Sequence, residues 1–307
     1  MCTAIKIDYD GGAVLGRTMD LEPPLNYNIL YYPRGYKFSQ DLFGQDLHGK
    51  YKVLGVCFND RNPIKDGVNE HGLIGVTNDY GGFNLYSNQV EKGRTNLSSL
   101  DYLSYALSNY KSLDELLEDL PNIHLSTRNH KNEKVLNPVF HYMFTDPSKR
   151  SIVIEPSDKK LLAKENPYDV MTNSPALGSH VRRLEKIMDP DNLKAFNSAK
   201  NLPGGYDPVS RFIKAFYLTR MNEPSKTYGQ ALANIYTILG TMTLPKGFIK
   251  TDSYSELTHT FYTSVYDTAS KSLTIKSIRS PEVFKLGFQD IEGNSSERQA
   301  IFLEDLE

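Results

Sequence analysis

Met1-Cys2-Thr3-Ala4-Ile5-Lys6-Ile7-Asp8-Tyr9-Asp10-Gly11-Gly12-Ala13-Val14-Leu15-Gly16-Arg17-Thr18-Met19-Asp20 is the stretch that sets the architecture. Thr3 to Tyr9 and Ala13 to Thr18 read as two short strands. Between them, Asp10-Gly11-Gly12 supplies the residue types that a tight hairpin turn needs. Closing that hairpin brings Arg17 and Asp20 back to the level of Cys2. A small second residue permits removal of the initiator methionine, and Cys2 would then carry both a thiol and a free α-amine. Such an amine has an ordinary pKa near 8, so it can act as a base at neutral pH. A thiol activated by its own N-terminal amine is a recognised catalytic device. A neighbouring cation such as Arg17 favours the thiolate, and a carboxylate such as Asp20 can hold the protonated amine. Position alone favours a plainer reading, namely a small residue that follows the start, and the plain reading of Arg17 and Asp20 is a surface Arg-Asp pair.

Working outward, Tyr51 to Phe58 and Gly72 to Thr77 are apolar enough for buried strands. From Ser98 to Leu120 the period changes. Leu100, Leu103, Ala106 and Leu107 follow helical spacing, and Ser112 with Glu115 forms a capping box for a second helix. Strands return at Val139 to Thr145, Ser151 to Glu155 and Asp169 to Thr172. Helices are predicted from Ser179 to Met188, from Asp207-Pro208 onward with Phe212, Ala215 and Phe216 inward, and after Thr227 with Leu232, Ile235, Tyr236 and Leu239 on one face. His259 to Leu286 is strand-rich. Blocks of strands separated by blocks of helices predict segregated α+β layers instead of βαβ alternation. No linker or repeat interrupts the 307 residues, so a single catalytic domain over 1–307 is expected.

Composition removes several classes of function. Lys and Arg number 35 against 37 Asp and Glu, a net charge of -2, so there is no basic surplus for nucleic acid. Apolar runs such as Val53-Leu54-Gly55-Val56-Cys57-Phe58 are far too short to cross a membrane. The amino terminus lacks a basic segment followed by a long apolar one, which makes the cytoplasm the expected location. Two cysteines exclude a disulfide framework and a Cys-rich zinc site. The seven histidines are scattered without ligand spacing and receive no role; neither metal nor cofactor is expected. There is no G-x-S-x-G, H-E-x-x-H, P-loop or dinucleotide fingerprint. Cys57 reads as a buried, inert thiol, and Asp66 with Glu70 gives little support to a paired-carboxylate glycosidase.

Four further segments follow the hairpin in order: Asp66-Gly67-Val68-Asn69-Glu70-His71-Gly72-Leu73, Val170-Met171-Thr172-Asn173-Ser174-Pro175, Leu202-Pro203-Gly204 with Ser210-Arg211-Phe212, and Tyr262-Thr263-Ser264. With Cys2, Arg17 and Asp20 they resemble the choloylglycine hydrolase family, which contains bile salt hydrolases and penicillin V acylases. The resemblance implies an N-terminal nucleophile hydrolase with a four-layer αββα sandwich, covering roughly residues 2–290. It implies Cys2 as nucleophile with its α-amine as base, flanked by Arg17 and Asp20. It also implies Asn173 as an oxyanion donor and Arg211 in the surrounding polar network. A homo-oligomer, tetramer or dimer, and a small N-acyl amide substrate are implied as well.

Two positions depart from the family pattern. Asp79 stands where the family has Asn or Tyr in the oxyanion hole, beside Asn78, which is the alternative second donor; and Gly205 stands where Asp is frequent. The stretch between Asn173 and Leu202 is short for the family. Thr18 within Gly-Arg-Thr-Met-Asp resembles the penicillin V acylase side, with a bile salt hydrolase as the alternative. A member that binds acyl ligands without hydrolysing them is the alternative of a different class, motivated by Asp79 and Gly205. Tyr27, Tyr31, Tyr32, Tyr80, Phe83 and Tyr86 lie in segments that border the site in relatives, and ordinary core packing explains most of them equally well.

Overall fold

Cys2–Tyr9 and Gly12–Leu21 form an antiparallel hairpin whose register sets Cys2 opposite Met19 and Ala4 opposite Arg17. Nearly every residue of both strands is buried, so the hairpin is covered on both faces. The computed structural model describes residues 1–21, 26–58, 63–83, 85–247, 249–250, 257–291 and 297–302. Among these, the hairpin belongs to a six-stranded sheet ordered Val170–Met171, Cys2–Tyr9, Gly12–Leu21, His259–Asp267, Leu273–Ser277 and Phe284–Leu286. An eight-stranded sheet faces it, ordered Lys160–Glu165, Ser151–Ser157, Phe140–Thr145, Ile74–Asp79, Ile64–Asn69, Val53–Phe58, Tyr27–Tyr32 and Gln299–Phe302. All the neighbouring strands in both sheets pair antiparallel.

Two cores glue the layers together. One unites the hairpin, the inner residues of the eight-stranded sheet such as Val56 and Val76, and the helices Pro208–Met221 and Tyr228–Gly240 through Phe212, Phe216, Ile235 and Leu239. The other packs Leu103, Leu107 and Leu116, from helices Ser99–Asn109 and Leu113–Asp119, on Tyr142, Phe144 and Ile154 of the eight-stranded sheet. The result is the expected four-layer αββα sandwich.

Helix starts follow the sequence closely. Asp207 accepts from the amides of Val209 and Ser210 with Pro208 in the first turn, and Thr227 with Gln230 closes a full capping box. Ser112 accepts from Glu115, but the Glu115 carboxylate reaches back to the amide of Lys111 instead of that of Ser112. The helix predicted from Ser179 to Met188 runs instead over Leu177–Glu185. Its buried face, Leu177, His180 and Leu184, begins before the serine that suggested a start. Two strands are not apparent as alternations in the sequence. Tyr27–Tyr32 is buried at every position, and Ile64–Asn69 places Lys65, Asp66 and Asn69 inside, where polar contacts replace apolar ones. Gly72 turns that strand into Ile74–Asp79 with φ +87°, and a side chain there would strike the carbonyl of Thr268. Among the described residues, no helix is long and apolar enough to cross a membrane.

Candidate active site

Strand pairing puts three of the expected residues at one end of the hairpin. Cys2 is buried, with its Sγ 3.8 Å from Arg17 Nη2. Arg17 Nη1 donates to the carbonyls of Lys65 and Thr77, and its Nε faces Asp66 Oδ2 at 3.4 Å. Burial works against the Arg17 charge, but Cys2 and Asp66 beside it outweigh that effect and raise its pKa. Asp66 is fully buried and accepts from Tyr262 at 2.7 Å and Tyr266 at 2.6 Å. The Asp20 carboxylate is buried too, accepting from Thr260 at 2.6 Å and Thr18 at 3.2 Å, and burial pushes its pKa up. The amine of Met1 bonds the carbonyl of Asp20 at 2.8 Å, not its carboxylate.

Two more residues arrive from the far half of the chain. Asn173 follows the short strand that borders Cys2–Tyr9, and its Oδ1 accepts from the backbone amide of Cys2 at 2.7 Å. Arg211 is completely buried near the start of its helix. It donates to the carbonyl of Cys2 at 2.5 Å, to Thr3 Oγ1 at 2.6 Å and to Asn173 Oδ1 at 2.7 Å. Desolvation lowers the Arg211 pKa, opposed by Asp20 and Cys2. Asn173 Nδ2 gives one hydrogen to the carbonyl of Asp79 at 3.1 Å, which leaves the second N–H of that amide available.

Asn78 departs from its expected oxyanion contact. Side chains alternate along a strand, so Asn78 and Asp79 leave Ile74–Asp79 on opposite faces. Asn78 points inward, and its Nδ2 lies on the carbonyls of Met171 and Thr172, both at 3.1 Å, and 3.5 Å from that of Cys2. Asp79 is exposed and, with Thr77, lines the cavity that Cys2 borders. Burial in the wall still raises its carboxyl pKa, against the Gly81 amide and the amine of Met1. Gly205 contributes no side chain, and the nearby carboxylate of Asp207 is used in capping.

The cavity has a volume of about 370 Å³. Leu21, Phe58, Leu100, Leu136, Pro138 and Phe140 make it chiefly apolar. Lys65 also faces it, with Nζ 5.1 Å from the Phe58 ring centre and 5.0 Å from that of Phe140. The tyrosines named from the sequence are mostly core: Tyr27, Tyr31, Tyr32 and Tyr80 are buried, and Tyr27 packs edge-on to Phe58 at 4.8 Å. Phe58 and Phe140 form the aromatic wall instead. Nothing in their local sequence distinguishes them from core residues.

Sequence reasoning also passed over two histidines. His141 Nε2 lies 2.8 Å from the carbonyl of Thr172, and His180 Nε2 lies 2.9 Å from that of Asn173. Both rings are buried, which lowers their pKa values to about 3 and about 4, so both are neutral and donate to these carbonyls. They clamp the backbone that presents Asn173. The motif segments acquire structural roles as well: Asn69 accepts from the amides of His71 and Leu73 and donates to the carbonyls of Leu107 and Tyr110, locking the turn to the neighbouring helix. Among the described residues, no three His, Cys, Asp or Glu side chains gather as a metal site.

Comparison with known proteins places this arrangement among characterised sequences. Residues 2–298 match the family described as linear amide C–N hydrolases, choloylglycine hydrolase family. A bile salt hydrolase/transferase of Clostridium perfringens is 30% identical over 283 residues, covering 86% of this chain and 85% of the relative. A penicillin V acylase of Pectobacterium atrosepticum is 25% identical over 299 residues, covering 91% of this chain and 77% of the relative. The crystal structure of a variant of the conjugated bile acid hydrolase from Clostridium perfringens superposes with a TM-score of 0.85 at 25% identity, covering 98% of this chain and 97% of the other.

Proposed function

The chain belongs to the choloylglycine hydrolase family of linear amide C–N hydrolases, and we propose that it is a cysteine-dependent N-terminal nucleophile amidase acting on N-acyl amides. The observation that carries this reading is the convergence of Arg17, Asn173 and Arg211 on Cys2 at the edge of an apolar cavity. With Met1 removed, the Cys2 nitrogen becomes an amine held by Asn173 Oδ1. It takes the proton of Sγ, and the sulfur attacks the acyl carbonyl. The tetrahedral oxyanion accepts the remaining N–H of Asn173 Nδ2, a neutral donor already fixed in direction. The amine leaves with the proton, and water resolves the thioester through the same base. Asp20 and Arg17 hold the surrounding charge, Arg211 holds the Cys2 carbonyl, and Asn78 positions the backbone of residues 171–172 without touching the substrate.

The acyl group occupies the apolar wall. A phenoxyacetyl amide such as penicillin V is the first reading, supported by the likeness of the Thr18 segment to penicillin V acylases, although Thr18 itself is buried and is not part of the cavity lining. The second reading, conjugated bile salts, is supported by the 30% identity to the bile salt hydrolase/transferase of Clostridium perfringens. Cytoplasmic residence is part of the proposal, supported by two cysteines that are both free thiols. So is assembly as a tetramer or dimer, which sedimentation tests.

The deciding experiment compares initial-rate hydrolysis of penicillin V, glycocholate and taurocholate, with Cys2→Ala as control and intact mass spectrometry of the acyl-enzyme. Preference for penicillin V with an adduct on Cys2 supports the first reading. Preference for the bile salts keeps the mechanism and changes the substrate. Binding of all three with no adduct in a sample that begins at Cys2 favours the non-hydrolytic member.

A further inference from the structure

Building on the amidase reading, we propose that Asp79 selects the amine half of the substrate by charge, favouring cationic or neutral amines over those carrying a carboxylate or sulfonate. Three observations place the Asp79 carboxyl in the cavity that Cys2 borders. Asp79 lines the same cavity as Cys2, and it is exposed at the end of its strand. Its carbonyl accepts from Asn173 Nδ2 at 3.1 Å, and the other end of that amide accepts from Cys2 at 2.7 Å, so one side chain spans the two residues. Its carboxylate receives only one long contact, 3.4 Å from the amide of Gly81, and among the described residues no side-chain cation forms an ion pair with it.

The two halves of an amide must part at Cys2. Seating the acyl half on the apolar wall of Phe58, Leu100 and Phe140 leaves the amine half to the polar lining of the same cavity, where Asp79 stands across the strand pair from Phe140. The terminal amine is the one positive group that acts on Asp79, and the side-chain cations of the site lie elsewhere. Arg17 is buried and turned to Asp66 and backbone carbonyls, while Lys65 is held over the aromatic rings of the acyl wall. An anionic amine therefore meets a like charge where water is partly excluded, and a cationic one meets its complement. The substrate class indicated is an N-acyl diamine, amino alcohol or alkylamine.

The test uses three phenoxyacetyl amides that share an acyl group, made with glycine, ethanolamine and ethylenediamine. Their kcat/KM values are measured with the wild type, Asp79→Asn and Asp79→Glu. The wild type and Asp79→Glu are expected to favour the ethylenediamine amide over the glycine amide by about tenfold or more, with ethanolamine between. Asp79→Asn is expected to bring the three within about threefold, chiefly by raising the glycine amide. An unchanged order in Asp79→Asn, or an equal loss on all three, overturns the proposal. Binding of the same amides to Cys2→Ala by calorimetry separates the two claims. A charge order in binding that Asp79→Asn abolishes supports selection even where Cys2 forms no adduct. Adducts formed equally from all three amides keep the amidase reading and reject this one.

Discussion

The backbone amide of Cys2 donates to Asn173 Oδ1 at 2.7 Å, although 171 residues separate them in the chain. The same oxygen accepts from Arg211 Nη2 at 2.7 Å, so two donors fix which end of the amide faces Cys2. Its nitrogen is thereby aimed at the Asp79 side, where an oxyanion would form.

Asn173→Asp separates those two jobs. An aspartate keeps the accepting oxygen but removes the Nδ2 donor. Single-turnover hydrolysis of penicillin V should fall by at least about 10²–10³, the usual cost of one oxyanion donor, and the urea midpoint should fall too because the new oxygen faces the carbonyl of Asp79. Asn173→Ala removes both ends and should lose stability as well. Equal kinetics for Asn173→Asp and the wild type would remove Asn173 from the oxyanion.

Arg211 is a buried cation satisfied by the carbonyl of Cys2, Thr3 and Asn173. Arg211→Met leaves those acceptors dry and Asp20 without its compensating charge. The expected loss is about 3–5 kcal/mol in urea unfolding, together with activity. Arg211→Lys, which keeps the charge but not the fork, should recover only part of either.

How far the sequence reached follows from where each signal sits. The hairpin and the capped helices were legible because local chemistry decides them: glycines at the turn, Asp207 before Pro208, Thr227 before Gln230. Arg211 was legible only through its segment, since an arginine in the first turn of a helix looks solvated until the helix packs on Cys2. Asn78 and Asp79 show the limit. They are adjacent in sequence, and only the pleat of their strand decides which one meets the cavity. His141 and His180 carry no ligand spacing, because they bind backbone carbonyls, which have no sequence signature.

Those histidines predict acid lability. Burial holds His180 near 4 and His141 near 3, against an ordinary value of 6.5, so between those values the unfolded chain binds more protons. The stability their neutral forms contribute is complete above pH 6.5 and is lost as pH falls toward the folded values. At pH 5 the loss for His180 is about 2 kcal/mol relative to neutral pH. Urea midpoints between pH 7 and pH 5 should fall steeply for the wild type and less for His180→Gln, which has no proton to gain. Parallel slopes would mean that other groups govern acid unfolding.

Asp66 tests whether the charge opposite Arg17 is held as a unit. Its carboxylate accepts from Tyr262 and Tyr266 and faces Arg17 Nε at 3.4 Å, with none of the four side chains open to water. Tyr262→Phe and Tyr266→Phe each remove one hydrogen bond to a charged group and should cost about 1.5–3 kcal/mol. Asp66→Asn should cost more, about 3–5 kcal/mol, because it leaves Arg17 buried without a counter-charge. If both hydroxyls are needed to hold the carboxylate in place against Arg17, the two tyrosine changes are not independent. Their double mutant should then depart from additivity by about 0.5 kcal/mol or more. Strict additivity would mean that each tyrosine supports the fold separately and that Arg17 keeps its aim at Cys2 without them. In that case hydrolysis in both single variants should match the wild type, whereas coupling predicts that it falls together with stability.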